Sequence, residues 1–175
     1  MDKKFRLKDK FNFSKVKILK ICAYTLCLIA SIALLAGFNF QPFAAAVNSR
    51  KIPIYCVDRS DNKVAITFDA AWGADKTQKI LDVCHRYGVK ATFFLVGFWI
   101  DNYPDMVKKI DEMGHTIGTH SETHPKMGSL SAEKITQELS SSMKKITDLT
   151  GKEVKLFRAP FGDYSNRLLE VAEGM

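Results

Sequence analysis

Lys63-Val-Ala-Ile-Thr-Phe-Asp69 and Ala91-Thr-Phe-Phe-Leu-Val96 decide the fold. The first run is β-branched and aromatic with partial alternation and follows the turn-forming Ser60-Asp-Asn62, so it predicts a strand. The second is fully apolar, as expected of a strand covered on both faces. Between them Ile80, Leu81, Cys84 and Tyr87 recur at helical spacing until Gly88, which makes the unit strand, helix, strand. Further on, Pro104 suits the first turn of a helix that carries Met106, Val107 and Ile110 and stops at Gly114. His115 to Thr119 reads as a third strand. Ser131 caps a helix with Ile135, Leu139, Met143, Ile146 and Leu149 on one face and Gly151 at its end. Val154 to Phe157 predicts a fourth strand, and Asn166 to Glu173 a last helix.

Strands alternating with helices imply an α/β fold with a parallel sheet and right-handed crossovers. In such folds the loops at the carboxyl ends of the strands converge on one face, where sites are built. The polar exceptions fall at those ends. Asp69 closes the first strand, His120 and His124 follow the third, and Arg158 follows the fourth.

His120-Ser-Glu-Thr-His124 is the most informative of these strings. Two imidazoles four residues apart face one cation if the loop makes a helical turn, and neutral imidazole is a standard zinc ligand. Pro125 disfavours helix beyond that turn. The alternative is a pair of surface histidines. Asp69 reads either as an acidic turn or as a general base acting on a metal-bound water. Arg158 reads either as a surface cation or as part of a rigid turn, Phe157-Arg-Ala-Pro-Phe-Gly162, able to aim a backbone N–H at an oxyanion. His85, within a helix, and His115, at a strand start, read as structural.

Thr67-Phe-Asp69, His120-Ser-x-x-His124-Pro125 and Arg158-x-Pro160-Phe-Gly162 resemble the first three motifs of the polysaccharide deacetylases with a NodB homology domain, carbohydrate esterase family 4. Phe68-Asp-Ala-Ala-Trp-Gly73 looks like the sporulation-associated members from spore-forming Firmicutes. The resemblance implies a distorted (β/α) barrel. It implies metal-dependent removal of N-acetyl groups from chitin-like or peptidoglycan sugars of the cell wall or spore, with zinc, or cobalt, as the metal. By position Asp69 matches the base, His120 and His124 the metal-binding histidines, Arg158 the residue that orients the base, and the Phe161 N–H the oxyanion donor. Ala70 stands where the family usually has a second Asp as third metal ligand, so weakened metal binding is expected. Ala159 replaces the first of two prolines in the third motif. Family domains continue to an Asp and Trp pair and a Leu-x-His, whereas this chain ends at Met175, so a barrel incomplete at its C-terminus is expected. A glycan-binding relative with impaired catalysis and a non-functional fragment are the alternatives.

Charge and hydropathy organise the rest of the 175 residues. The net charge is +7, but residues 1–20 hold eight of the 26 basic side chains against two acids, leaving 18 basic and 17 acidic in the remainder. A basic tail before a near-neutral body excludes the broad basic surface of a nucleic-acid binder. Ile21 to Phe38 carries no charge over eighteen residues, about 27 Å as a helix, enough to span a bilayer. The alternative is a buried core helix. The lysines before it keep residues 1–20 cytoplasmic and place the body outside. Ala44-Ala-Ala46 offers a cleavage site, in which case the domain is secreted instead of anchored. Cys22, Cys27, Cys56 and Cys84 contain no CxxC pair and neither staple the domain nor supply a metal site. The expected organisation is a basic tail over 1–20, a transmembrane signal-anchor over 21–38, a linker and N-terminal strand over 39–62, and a partial NodB homology domain over 63–175. The chain is expected to be a monomer whose partners are an N-acetylated cell-wall glycan and a membrane crossed once.

Overall fold

The computed structural model describes residues 17–32, 34 and 50–175, which belong to two units divided between Ser49 and Arg50. In the first unit residues 17–32 form helix α1. Its Thr25 and Ser31 hydroxyls turn back onto the carbonyls of Cys22 (2.9 Å) and Cys27 (2.8 Å), the local bonding open to a hydroxyl on a helix. Ile21, Leu26, Leu28 and Ile29 are exposed. The expected span over 21–38 includes residues 33 and 35–38, and the expected cleavage site lies near Ala46; all fall outside the described residues. Among the described residues no helix is long and apolar enough to cross a membrane.

The second unit follows the strand and helix order read from the sequence. Strand β1 (Thr67–Ala70) pairs in parallel with β2 (Thr92–Leu95), and β2 with β3 (Thr116–Thr119). The strands are joined by α2 (Thr77–Arg86) and by α3 (Gly97–Asn102) with α4 (Pro104–Glu112). Helices α5 (Ala132–Thr150) and α6 (Asn166–Glu173) follow. The register fixes the chemistry of each face because side chains alternate along a strand. Phe68, Phe93 and Ile117 form one row across the sheet, and Asp69, Phe94 and Gly118 the next. The first row packs into the main core with Leu81, Leu95, Trp99, Ile100, Val107, Ile110 and Ile146. Fully burying such side chains contributes about 1.5–3 kcal/mol each. A second core gathers Met127, Ile135, Leu139 and Leu168 beneath α5 and α6. The opposite row, with Asp69 at its edge, is left for the site.

Helix ends follow the expected chemistry. Pro104 occupies the first turn of α4. Ser131 Oγ accepts from the Lys134 N–H (3.3 Å) at the start of α5, and Gly151 closes that helix with φ at 70°. The described residues carry an open three-stranded sheet ordered β1-β2-β3. One expectation is corrected. The fourth strand is reduced to an isolated bridge between Thr119 and Phe157. Its bonds are Thr119 N–H to Leu156 O (2.8 Å) and Arg158 N–H to Thr119 O (3.0 Å), one pairing with no further ladder. Helix α3 was not expected, because Gly97-Phe-Trp-Ile100 is too short and too uniformly apolar to show a helical period. The described cysteines are free, with Cys84 buried in the core and Cys56 exposed.

His115 is structural, as expected. It is 6% exposed, and its Nδ1 accepts the Ala91 N–H (3.1 Å). Burial, and then the charge of Lys90, hold its pKa below the ordinary 6.5. The unfolded chain therefore takes up this proton more readily than the folded one. The contribution of His115 to stability is complete above about pH 6.5 and is lost as the pH falls toward the depressed folded value. Urea unfolding between pH 7.5 and 5 should show this loss, and His115→Asn, which keeps an acceptor that does not titrate, should flatten the slope.

Candidate active site

Three segments meet beyond the carboxyl ends of the strands. Asp69 ends the solvent-facing row of β1, and the Arg158 guanidinium reaches it from the segment bridged to β3. Arg158 Nη1 donates to Asp69 Oδ1 (2.7 Å) and Nη2 to Thr67 Oγ1 (2.9 Å). The guanidinium lies 4.3 Å above the Phe94 ring, a cation–π contact that completes its seat. Carboxylate and guanidinium are each about 40% exposed, so the pair is wet and serves orientation more than stability.

His120 is 4% exposed, and its Nδ1 lies 2.8 Å from the Arg158 carbonyl oxygen. A proton on Nδ1 donates to that carbonyl and leaves the Nε2 lone pair facing the site, 4.0 Å from Asp69 Oδ2. Burial lowers the His120 pKa, opposed by that hydrogen bond and by Asp69. His124 stands beside it, with ring centroids 4.9 Å apart. The loop achieves this without the helical turn read from the spacing. Ser121 and His124 both adopt left-handed backbone, with φ at 69° and 59°, and the His124 N–H donates to Ser121 Oγ (3.0 Å). Such conformations persist only where the surroundings enforce them.

The third left-handed residue outside glycine is Phe161 (φ 58°), in the Pro160–Gly162 turn. Its ring is 68% exposed and lies edge-on to His124, with centroids 4.7 Å apart. Trp72, on the loop after β1, flanks the same imidazole from 6.0 Å and is 79% exposed. Trp99 Nε1 donates to Gly73 O (2.8 Å) and so ties this loop to α3. Two large aromatics thus remain in solvent against one imidazole, contrary to the usual drive to bury them.

The five residues singled out from the sequence, Asp69, His120, His124, Arg158 and Phe161, are therefore brought together. Thr67 and Phe94 were not singled out as site residues. Period-two alternation could have found Thr67, which shares a face with Asp69, whereas Phe94 required the register. Two imidazoles fit a divalent ion held by two protein ligands. The set stops there: Ala70 offers a methyl, and no group of three His, Cys, Asp or Glu among the described residues is placed to hold a metal ion. Catalytic zinc usually has three protein ligands.

A family model for polysaccharide deacetylase matches residues 57–175. The chain belongs to the polysaccharide deacetylase family. It is 32% identical over 117 residues to the peptidoglycan-N-acetylmuramic acid deacetylase PdaA of Bacillus subtilis, covering 66% of this chain and 44% of that protein. Among solved structures it is similar to a family 4 carbohydrate esterase from Bacillus anthracis, with 38% identity, TM-score 0.62, and coverage of 63% of this chain and 54% of the other. A CE4 family pseudoenzyme from Bacillus anthracis gives 32% identity and TM-score 0.61, over 63% of this chain and 39% of the other. A mutant of that pseudoenzyme, described as having restored enzymatic activity, gives 34% identity and TM-score 0.61, over 63% and 40%. The chain spans about half the length, or less, of the curated relatives it matches. Its α/β fold is of the NodB-like type found in that family.

Proposed function

We propose that this polysaccharide deacetylase domain acts on N-acetylated glycans of the cell wall or spore as a carbohydrate N-deacetylase with a weakened metal site. The observation that carries this reading is the Asp69–Arg158 pair set beside the two imidazoles, with two exposed aromatic rings against His124. Trp72 and Phe161 offer apolar faces on which a pyranose ring packs, placing its acetamido group near His124. Asp69, held by Arg158 and Thr67, takes a proton from water, and the oxygen of that water attacks the acetyl carbonyl carbon. The Phe161 N–H lies in the turn that would face the resulting oxyanion. The C–N bond then breaks, the amine takes up the proton held by Asp69, and acetate leaves. A divalent ion, zinc or cobalt, on His120 and His124 would polarise the carbonyl.

A second reading, a glycan-binding relative without turnover, is favoured by Ala70, which removes a carboxylate from the ligand set. The resemblance to a pseudoenzyme supports it as well. Anchorage in the membrane with the domain outside is supported by the uncharged run 21–38 behind a lysine-rich tail. The exposed apolar side chains of α1 and its internally bonded hydroxyls support it too.

One titration tests the reading and separates the alternatives. The chain has two tryptophans, Trp72 exposed and Trp99 fully buried. N-acetylchitooligosaccharide should therefore change the fluorescence of Trp72, and Trp72→Ala should abolish the change and weaken binding about tenfold, within reach of one lost aromatic contact. Acetate released in the presence of cobalt identifies the deacetylase, and binding without acetate the impaired relative. Absence of both binding and acetate would overturn the proposal.

A further inference from the structure

Helix α5 presents a polar stripe, Glu138, Ser142 and Lys145, at the i, i+4, i+7 spacing of one helix face. All three touch the histidine loop or the strand that leads into it. Ser142 Oγ bonds Thr119 Oγ1 (2.5 Å), and Lys145 Nζ bonds Glu122 (2.5 Å). Glu138 does most. Its Oε2 accepts the backbone N–H groups of Glu122 (3.0 Å) and Thr123 (2.8 Å), and its Oε1 accepts the Thr123 hydroxyl (2.7 Å).

We propose that Glu138 is the positioning residue that holds His120 and His124 face to face. The two N–H groups it binds lie between the two left-handed residues of the loop, Ser121 and His124. Without an acceptor there, the loop loses the charged hydrogen bonds that oppose relaxation of both residues to ordinary backbone. Relaxation at either would swing one imidazole away from the other, since the spacing alone does not bring them together outside a helical turn. Glu138 touches neither ring, so it acts only through the loop. The inference rests on the reading of this pair as the heart of the site but concerns its geometry alone. Its failure would leave the deacetylase reading standing, and failure of that reading would leave the geometry unchanged.

Imidazole resonances of the isotope-labelled full chain, recorded without metal, test it. Proton contacts between His120 and His124 should give a cross-relaxation signal in the parent protein. Glu138→Ala should lose it while the His115 resonances, which report the core, stay in place. Glu138→Gln should retain it, because its carbonyl oxygen accepts both N–H groups and its amide donates to Thr123 Oγ1. A His120–His124 signal that persists in Glu138→Ala with His115 unmoved would overturn the proposal. Should Glu138→Ala also lose the His115 resonances, Glu138→Asp decides, since it withdraws the carboxylate by one methylene. Loss of the pair signal with His115 intact supports the assignment, and retention overturns it.

Discussion

Replacing Gly118 by alanine will lower the melting temperature of the domain and unseat Arg158 at the same time. A Cβ on Gly118 would stand 2.7 Å from the Phe94 ring and 2.8 Å from the Leu156 carbonyl oxygen. Neither neighbour can give way freely. Leu156 O accepts the Thr119 N–H that joins the bridged segment to β3, and Phe94 is buried beneath the Arg158 guanidinium. Overpacking of this kind costs about 1–3 kcal/mol or more, a large share of a net stability of about 5–15 kcal/mol. A fall of roughly 5–15 °C in melting temperature follows. Because Asp69, Phe94 and Gly118 share one row of the sheet, the displaced ring pushes on the guanidinium that holds Asp69. Calorimetry checks the first effect. The second appears as weaker turnover or glycan binding than the melting shift alone explains; an unchanged melting temperature would show that the β3 contact is looser than described.

Much of this arrangement was legible in the sequence because local signals and tertiary packing agree. Pro104, Ser131 and Gly151 mark helix ends by backbone chemistry, and the apolar period of α5 points into the core. The site residues stood out as polar groups at the ends of apolar strands. What could not be read depends on contacts far apart in the chain. Phe94 looked like any core phenylalanine until the register set it under Arg158. Glu138 carries no local mark that separates it from any acid on an amphipathic helix, although it stands four residues before Ser142 and seven before Lys145 on one face. The left-handed Ser121 and His124 have no sequence mark comparable to glycine, so the spacing suggests a helical turn that the loop does not make. The last strand is not formed because the strand-like alternation of Val154-Lys-Leu-Phe157 states a propensity and not a partner.

The central proposal is that Asp69 serves this polysaccharide deacetylase domain as base and His120 and His124 as metal ligands, while Ala70 withholds a third ligand. Ala70 is the last residue of β1, packs against the main core, and its carbonyl accepts the Val96 N–H (3.1 Å). A carboxylate there is costly to bury alone and is relieved by turning toward a cation. Partners one shell beyond a metal typically contribute about 10–100-fold to its affinity, so a direct carboxylate ligand should gain about 100-fold or more. Metal should also raise the melting temperature of Ala70→Asp more than that of the parent, because binding stabilises only the folded state. The decisive measurement is cobalt titration calorimetry on the full chain, followed by acetate release from N-acetylchitooligosaccharide by the same samples. Tight cobalt binding and faster acetate release in Ala70→Asp, both abolished by adding His124→Ala, is the predicted result. Affinity in Ala70→Asp no higher than in the parent, or binding untouched by His124→Ala, would contradict the account.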